Sequence, residues 1–173
     1  MSDFNNKNFI LKDGIFDFNL KDTVTLKVGK FYEEDPFPNY KIDDNKHSIT
    51  QIGEKNQLLK EFKKFIGFNK SLIEIGSGTC QLANYLAINT NNQIYAFDSS
   101  FHSLKLGKDF AEKNNIKNIE FVRGDIFDKN FKDESFDFIW CNGVLHHTKN
   151  PYEAFKSVIT CLKKWIHIAR LVQ

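Results

Sequence analysis

The 173-residue sequence contains few of the residues that define small disulfide-rich or metal-bound proteins. Its three cysteines, Cys80, Cys141 and Cys161, are odd in number and show neither CxxC nor metal-type spacing. A disulfide framework and a zinc module are therefore disfavoured as the basis of the fold. We predict reduced, buried cysteines and no bound metal.

Long apolar runs and a strong charge of one sign are also missing. No run of about 18 apolar residues is present, and the first residues, MSDFNNKNF, are polar, so we predict neither a membrane span nor a signal peptide. The formal net charge is only +2, which argues against a nucleic-acid-binding surface. These absences predict a cytoplasmic protein with one domain-sized core.

The pattern of apolar residues changes near residue 45. Before it, alternation around Asp13-Gly14 predicts short antiparallel strands, followed by a segment rich in proline and aromatic residues. After it, we predict strands at 72–75, 94–97, 119–122 and 137–141, and helices at 48–66, 80–89, 101–114 and 151–163. The predicted fold class is α/β: a doubly wound, Rossmann-like, mostly parallel sheet with helices on both faces. Residues 1–45 would form an N-terminal β/turn extension, and residues 46–173 the main domain.

The stretch SLIEIGSGTCQLANYL, residues 71–86, joins a predicted strand to a predicted helix through a turn with two glycines. The dinucleotide fingerprint G-x-G-x-x-G needs a third glycine for close helix packing, and Gln81 stands at that position. No Gly-Lys-Ser/Thr follows, so a phosphate-binding turn and a nicotinamide-dependent oxidoreductase are both disfavoured. Glu74, Gly76 and Gly78 leave a different adenosine cofactor as the stronger interpretation.

Polar residues also follow the other predicted strands, at the edge where ligands bind in such a sheet. Asp98 stands about twenty residues after the glycine turn, where a carboxylate can accept hydrogen bonds from ribose hydroxyls. Asp125 follows the next strand and can accept from an exocyclic amine such as that of adenine. Asn142 opens a loop that leads to His146 and His147.

Four stretches between residues 70 and 163 resemble the motifs of class I S-adenosylmethionine-dependent methyltransferases: IEIGSGTC, AFDSS, GDIFD and FDFIWCNGVLHHTKNP, in that order. The resemblance implies that S-adenosyl-L-methionine is the cofactor. It implies Glu74, Gly76, Ser77 and Gly78 around the methionine part, Asp98 and Ser99 at the ribose, Asp125 and Ile126 at adenine, and Asn142 near the methionyl end. Cys80 departs from the pattern, because many family members have glycine there.

The resemblance implies methyl transfer to a small-molecule acceptor. His146 and His147 are candidate general bases, although histidine at this place also commonly serves loop packing. A second hypothesis is a catalytically incomplete cofactor-binding module or partner subunit. A possible lid precedes the domain, with Tyr32, Phe37 and Tyr40 as its flat apolar side chains. The alternative for this segment is a strap packed on the fold.

The last residues, WIHIARLVQ, depart from the family pattern. The family's glycine turn is missing there, and no residues follow to form its closing strands. We therefore expect either a shortened family sheet or a piece of a longer protein. An incomplete C-terminal sheet edge would expose unpaired backbone groups, which predicts self-association through that edge.

Overall fold

The computed structural model describes residues 3–4, 9–18 and 38–163. The described strands are β1 (Ile10–Lys12), β2 (Ile15–Asp17), β3 (Ser71–Ile75), β4 (Gln93–Asp98), β5 (Ile119–Arg123) and β6 (Phe138–Cys141). The described helices are α1 (Lys46–Lys55), α2 (Gln57–Ile66), α3 (Gln81–Ala87), α4 (Phe101–Lys113) and α5 (Pro151–Ile159). A 3-10 turn covers Leu145–His147.

The six strands form one sheet in the order β1-β2-β5-β4-β3-β6, and β1–β2 is its antiparallel pair. The other pairs are parallel; β3, for example, aligns Glu74 with Ala96 of β4 on one side and with Trp140 of β6 on the other. The chain therefore winds outward from β3 to β5, then returns to the opposite side of β3 as β6. The predicted fold class, a mostly parallel Rossmann-like α/β sheet, is confirmed.

Successive strand residues alternate between two cores, one on each face of the sheet. Leu72 of β3 packs on the face covered by α1 to α4, whereas Ile73 packs on the opposite face with α5 and the N-terminal aromatic residues. Both side chains are at most 1% exposed. Strands buried on both faces explain the continuous apolar runs of the sequence.

The N-terminal hairpin is part of this same sheet. Asp13 and Gly14 both have positive φ, which suits the two-residue turn that matches the strand twist and confirms the predicted hairpin. Strand β2 then pairs in parallel with β5, and Asp17 forms an ion pair with Arg123 at 3.2 Å. Phe4, Phe16 and neighbouring aromatic rings pack together in the core on one face of the sheet. The predicted domain boundary near residue 45 stays a prediction.

The helix predicted over 48–66 is wrong as one element, because Asn56 divides it. Asn56 has φ −86° and ψ 106°, ends α1, and accepts hydrogen bonds from Leu58 and Leu59 as the N-cap of α2. Apolar periodicity continues through this position, so it gives no sign of the break. An asparagine side chain competes with helix continuation by capping the next helix.

Strand β6 is the outer strand on its side of the described sheet. Leu162 forms an isolated parallel bridge with Phe136, just before β6 begins. Tyr32, Phe37 and the apolar residues of 165–169 lie outside the described residues, and the predicted self-association and cytoplasmic location stay predictions. Within residues 3–4, 9–18 and 38–163, no helix has the length and apolar character to cross a membrane, and no group of three His, Cys, Asp or Glu residues could hold a metal.

Candidate functional site

A cavity of about 450 Å³ opens at the carboxyl ends of the parallel strands. It lies where strand order reverses between β3 and β6, the place where ligands bind in open α/β sheets. Most residues that the sequence predicts for the site line this cavity: Glu74, Gly76, Ser77, Gly78, Asp98, Ser99, Ile126, Asn142 and His147. Asp125 and His146 do not line it.

The turn after β3 is shaped by its two glycines. Gly76 has φ +70°, and a Cβ atom there would lie 2.2 Å from Cγ2 of Val144. Gly78 has φ +51°, and its N–H donates to Oδ2 of Asp98 at 2.8 Å. Only glycine adopts positive φ at little cost, and the missing side chain at position 76 lets the loop after β6 approach the turn.

Cys80 ends the same turn in a glycine-like conformation, with φ +61° and ψ 29°. Its side chain is fully buried against α4, where a Cβ atom on Gly107 would lie 2.6 Å from Cβ and 2.7 Å from Sγ of Cys80. The missing side chain at Gly107 therefore leaves room for the Cys80 side chain. A glycine at position 80 would not need this room. Burial raises the pKa of the Cys80 thiol well above its ordinary value, and the residue does not line the cavity. The geometry gives Cys80 no role as a nucleophile.

Glu74 places a carboxyl group in the cavity wall while being only 6% exposed. Within the described part of the chain, its Oε2 atom has no hydrogen-bond partner. Burial raises the pKa of Glu74 to about 8; the backbone N–H of Ala83 opposes this rise, and the Asp98 carboxylate adds to it. A buried oxygen without a partner costs free energy, so a cation or donor brought by a ligand would stabilise it.

Asp98 stands at the end of β4 and connects two backbone segments. Its Oδ2 accepts from the Gly78 N–H, and its Oδ1 accepts from the Ser100 N–H, both at 2.8 Å. Burial raises the pKa of Asp98, while the N–H groups of Ser100, Gly78 and Ser99 oppose the rise. A carboxylate has about four acceptor positions, so Asp98 can hold the turn and still accept from a ligand.

Asp125 is placed differently from the other predicted residues. It is 3% exposed, and its Oδ1 accepts from the Phe127 N–H at 2.9 Å. It borders a separate cavity of about 30 Å³, while Ile126 and Phe127 line the large one. The Asp125 side chain thus caps its own turn, and its predicted contact with a ligand stays a prediction.

The loop after β6 carries Asn142 and the two histidines. Asn142 is exposed and lines the cavity, as does His147 in the 3-10 turn. The His146 ring lies against the His147 ring, with centroids 3.9 Å apart, but stays outside the cavity lining. Of the two predicted general bases, only His147 is placed to meet a ligand there.

The segment Pro38–Tyr40 is fastened to the glycine turn and α3. The Tyr40 hydroxyl donates to the Thr79 carbonyl at 2.9 Å and accepts from Asn84 Nδ2 at 3.0 Å. Its ring stacks on Phe110, with centroids 4.5 Å apart and planes 12° apart. The Thr79 hydroxyl donates to the carbonyl of Pro38, which also lines the cavity. The described end of the predicted lid thus packs as a strap.

Sequence reasoning missed the residues that line the cavity from α1, α2 and α3: Ile49, Ile52, Gly53, Leu59, Leu82 and Tyr85. It also missed Phe127 and Lys149, whose ammonium lies 4.7 Å from the Phe127 ring centroid. The side chains from α1, α2 and α3 follow the same periodicity as ordinary core residues. No local sequence pattern distinguishes a residue of a cavity wall from a residue of the core.

The residues present fit S-adenosylmethionine on two observations. The orphaned Glu74 oxygen offers a buried negative partner for an ammonium group, and the Asp98 carboxylate retains acceptor positions for ribose hydroxyls. The cavity and its acids thus form a candidate site for a nucleoside-containing ligand at the switch point of a Rossmann-like fold.

The chain belongs to the methyltransferase-domain family. The model of this family, described as "Methyltransferase domain", matches residues 73–165. The resemblance to class I S-adenosylmethionine-dependent methyltransferases is thereby confirmed.

Two curated relatives are similar to this chain. The "Uncharacterized methyltransferase YcgJ" of Bacillus subtilis is 28% identical over 94 residues, which cover 54% of this chain and 36% of the relative. The "Demethylmenaquinone methyltransferase" of Listeria welshimeri is 22% identical over 148 residues, which cover 83% of this chain and 61% of the relative. The chain thus spans between about a third and two thirds of these relatives' length.

A solved S-adenosylmethionine-dependent methyltransferase from Aquifex aeolicus has the same fold, with a TM-score of 0.57 at 17% identity. The match covers 72% of this chain and 70% of that protein.

Proposed function

We propose that this chain binds S-adenosyl-L-methionine in the strand-end cavity and transfers its methyl group to a small-molecule acceptor. The observation that carries the proposal is the Glu74 carboxyl group, which is buried in the cavity wall with its Oε2 atom unpartnered in the described part of the chain. A carboxyl group in this position needs a cationic or donating ligand, and the amino-acid end of S-adenosylmethionine supplies an ammonium.

The proposal assigns binding roles to several of the residues that line the cavity. Glu74 would hold the ammonium, with the Gly76 turn lining the cavity beside it, and Asp98 would accept from the ribose hydroxyls. Ile126 and Phe127 would contact the adenine ring. Asn142 would face the methionyl end from the loop after β6.

Bound S-adenosylmethionine would supply an activated methyl group on a sulfonium sulfur. The acceptor would provide the lone pair for the new bond to carbon, and sulfur would keep the electron pair of the bond that it gives up. An acceptor that carries a proton releases it to a base or to water. Little acid-base help is needed, so positioning and exclusion of water are the main tasks of this chain. His147 is the base candidate, because His146 does not line the cavity.

Calorimetric titration of the purified chain with S-adenosylmethionine and, separately, with NAD tests the cofactor. We expect binding of the first and none of the second, because Gln81 occupies the third glycine position of the dinucleotide turn. Release of S-adenosylhomocysteine with a panel of acceptors then separates an enzyme from a binding module. Cofactor binding without turnover on any acceptor would favour the module, and no cofactor binding would overturn the proposal.

A further inference from the structure

The lining of the cavity is chemically uneven. The strands and the loops after them contribute acids, glycines and polar side chains beside apolar ones such as Ile75 and Phe97, whereas α1 and α2 contribute only apolar residues: Ile49, Ile52, Gly53 and Leu59. Leu82 and Tyr85 of α3 complete this wall. We call these six residues the apolar compartment.

The cofactor's polar groups already have matched partners at the strand ends. Glu74 offers the unpartnered oxygen and Asp98 the free acceptor positions, and both belong to strands of the parallel sheet, near their carboxyl ends. The apolar compartment contributes no charged side chain to the lining, so it offers nothing to an amino acid or a ribose. Its chemistry suits a ligand surface that gains by leaving water.

The wall of this compartment is fixed by a close contact between two helices. A Cβ atom on Gly53 of α1 would lie 2.4 Å from the ring of Tyr85 in α3, so the ring packs directly on the helix backbone. The Tyr85 hydroxyl donates to Glu54 at 2.8 Å, and the Lys63 ammonium lies 4.3 Å from the ring centroid. These contacts hold the Tyr85 ring in place. This wall of the apolar compartment is therefore already formed in the structure.

We propose that the apolar compartment binds the apolar body of the methyl acceptor, an alkyl or aromatic group, beside the bound cofactor. This proposal rests on the proposed function, because it needs the cofactor bound at Glu74 and Asp98 in the same cavity. The acceptor class would then be apolar small molecules carrying one nucleophilic group, as opposed to amino acids, sugars or nucleotides.

The test uses straight-chain alcohols from butanol to octanol as probes, titrated into the protein saturated with S-adenosylhomocysteine and followed by ligand-observed NMR. We expect affinity to rise about fourfold for each added methylene until the compartment is full, as burial of apolar surface predicts. S-adenosylhomocysteine should stay bound throughout. Alcohols that fail to bind, or that displace S-adenosylhomocysteine, would overturn the proposal.

Two matched variants locate the binding. Ile52 lines the compartment and is 52% exposed, so Ile52→Ser is compatible with folding and should weaken octanol binding at least threefold. Ile42 is 99% exposed and outside the cavity lining, so Ile42→Ser makes the same chemical change and should leave octanol binding unaltered. Equal losses in both variants, or none in Ile52→Ser, would contradict the assignment.

The same experiment keeps this inference separate from the proposed function. Should S-adenosylhomocysteine bind and the alcohols not, the apolar compartment is wrong while the cofactor site stands. Should the alcohols bind to a protein that takes neither S-adenosylhomocysteine nor S-adenosylmethionine, the proposed function fails, and with it the acceptor role of the compartment.

Discussion

Replacing Glu74 by glutamine removes a charge at nearly constant shape and tests the central residue of the site. Burial raises the pKa of Glu74 from 4.5 to about 8. Between these values the folded protein holds a proton that the unfolded chain has lost, so the contribution of Glu74 to stability is greatest below the lower value and declines as pH rises. The slope reaches about 1.4 kcal/mol per pH unit.

Glu74→Gln should therefore lose this pH dependence. The free energy of unfolding of the variant, relative to the unaltered protein, should increase steadily between pH 5 and pH 8. Urea unfolding at half-unit pH steps measures the difference. Glu61→Gln makes the same chemical change at an exposed position of α2 and should shift the curve little at any pH. A flat difference curve for Glu74→Gln would refute the assigned burial of an ionisable group.

The same variant has a distinct effect on cofactor binding. An ammonium needs the ionised carboxylate, so binding near pH 7 should release close to one proton from Glu74, and affinity should rise with pH toward 8. Glu74→Gln should bind S-adenosylmethionine 10- to 100-fold more weakly, equivalent to about 1.5–3 kcal/mol for a hydrogen bond to a charged group. Calorimetry in buffers of different ionisation enthalpy counts the released protons. Unaltered affinity in a folded variant would exclude Glu74 as the ammonium partner.

Three further changes test neighbouring parts of the site. Asp98→Ala should weaken S-adenosylmethionine binding by about 1.5–3 kcal/mol in calorimetry, and unaltered affinity in a folded variant would disprove the ribose contact. His147→Ala should lower turnover of a proton-bearing acceptor with cofactor affinity nearly unaltered, while His146→Ala should affect turnover less; the reverse order would contradict the cavity geometry. Gly107→Ala should destabilise the protein by about 1–3 kcal/mol in thermal unfolding, because the new methyl group meets Cys80, and a stabilised variant would show that α4 shifts freely.

Residues that carry chemistry at strand ends were predictable, since parallel strands bring their carboxyl ends to one edge regardless of loop detail. Glu74, Asp98 and Asn142 follow from that rule together with the glycine turn, and all three line the cavity. The antiparallel strands around Asp13-Gly14 were likewise predictable, because apolar and polar residues alternate on both sides of a short turn.

The remaining features depend on contacts between distant segments. The parallel pairing of β2 with β5 leaves no local pattern, and neither does the Gly53–Tyr85 contact that forms the apolar wall. Asp125 shows a different limit: an aspartate after a strand can cap its own turn, as Asp125 does, and the sequence does not show whether it also contacts a ligand.

The pairing of the N-terminal hairpin with β5 has a consequence for synthesis on the ribosome. Asp17 and its partner Arg123 are 106 residues apart, so the hairpin emerges long before the strand that covers its edge. At roughly 5–20 residues per second, the interval is on the order of 5–20 s. During that time Phe16, Phe18 and the hairpin's open edge have no β5 to dock on, so apolar side chains and unpaired backbone groups stay exposed until synthesis reaches β5.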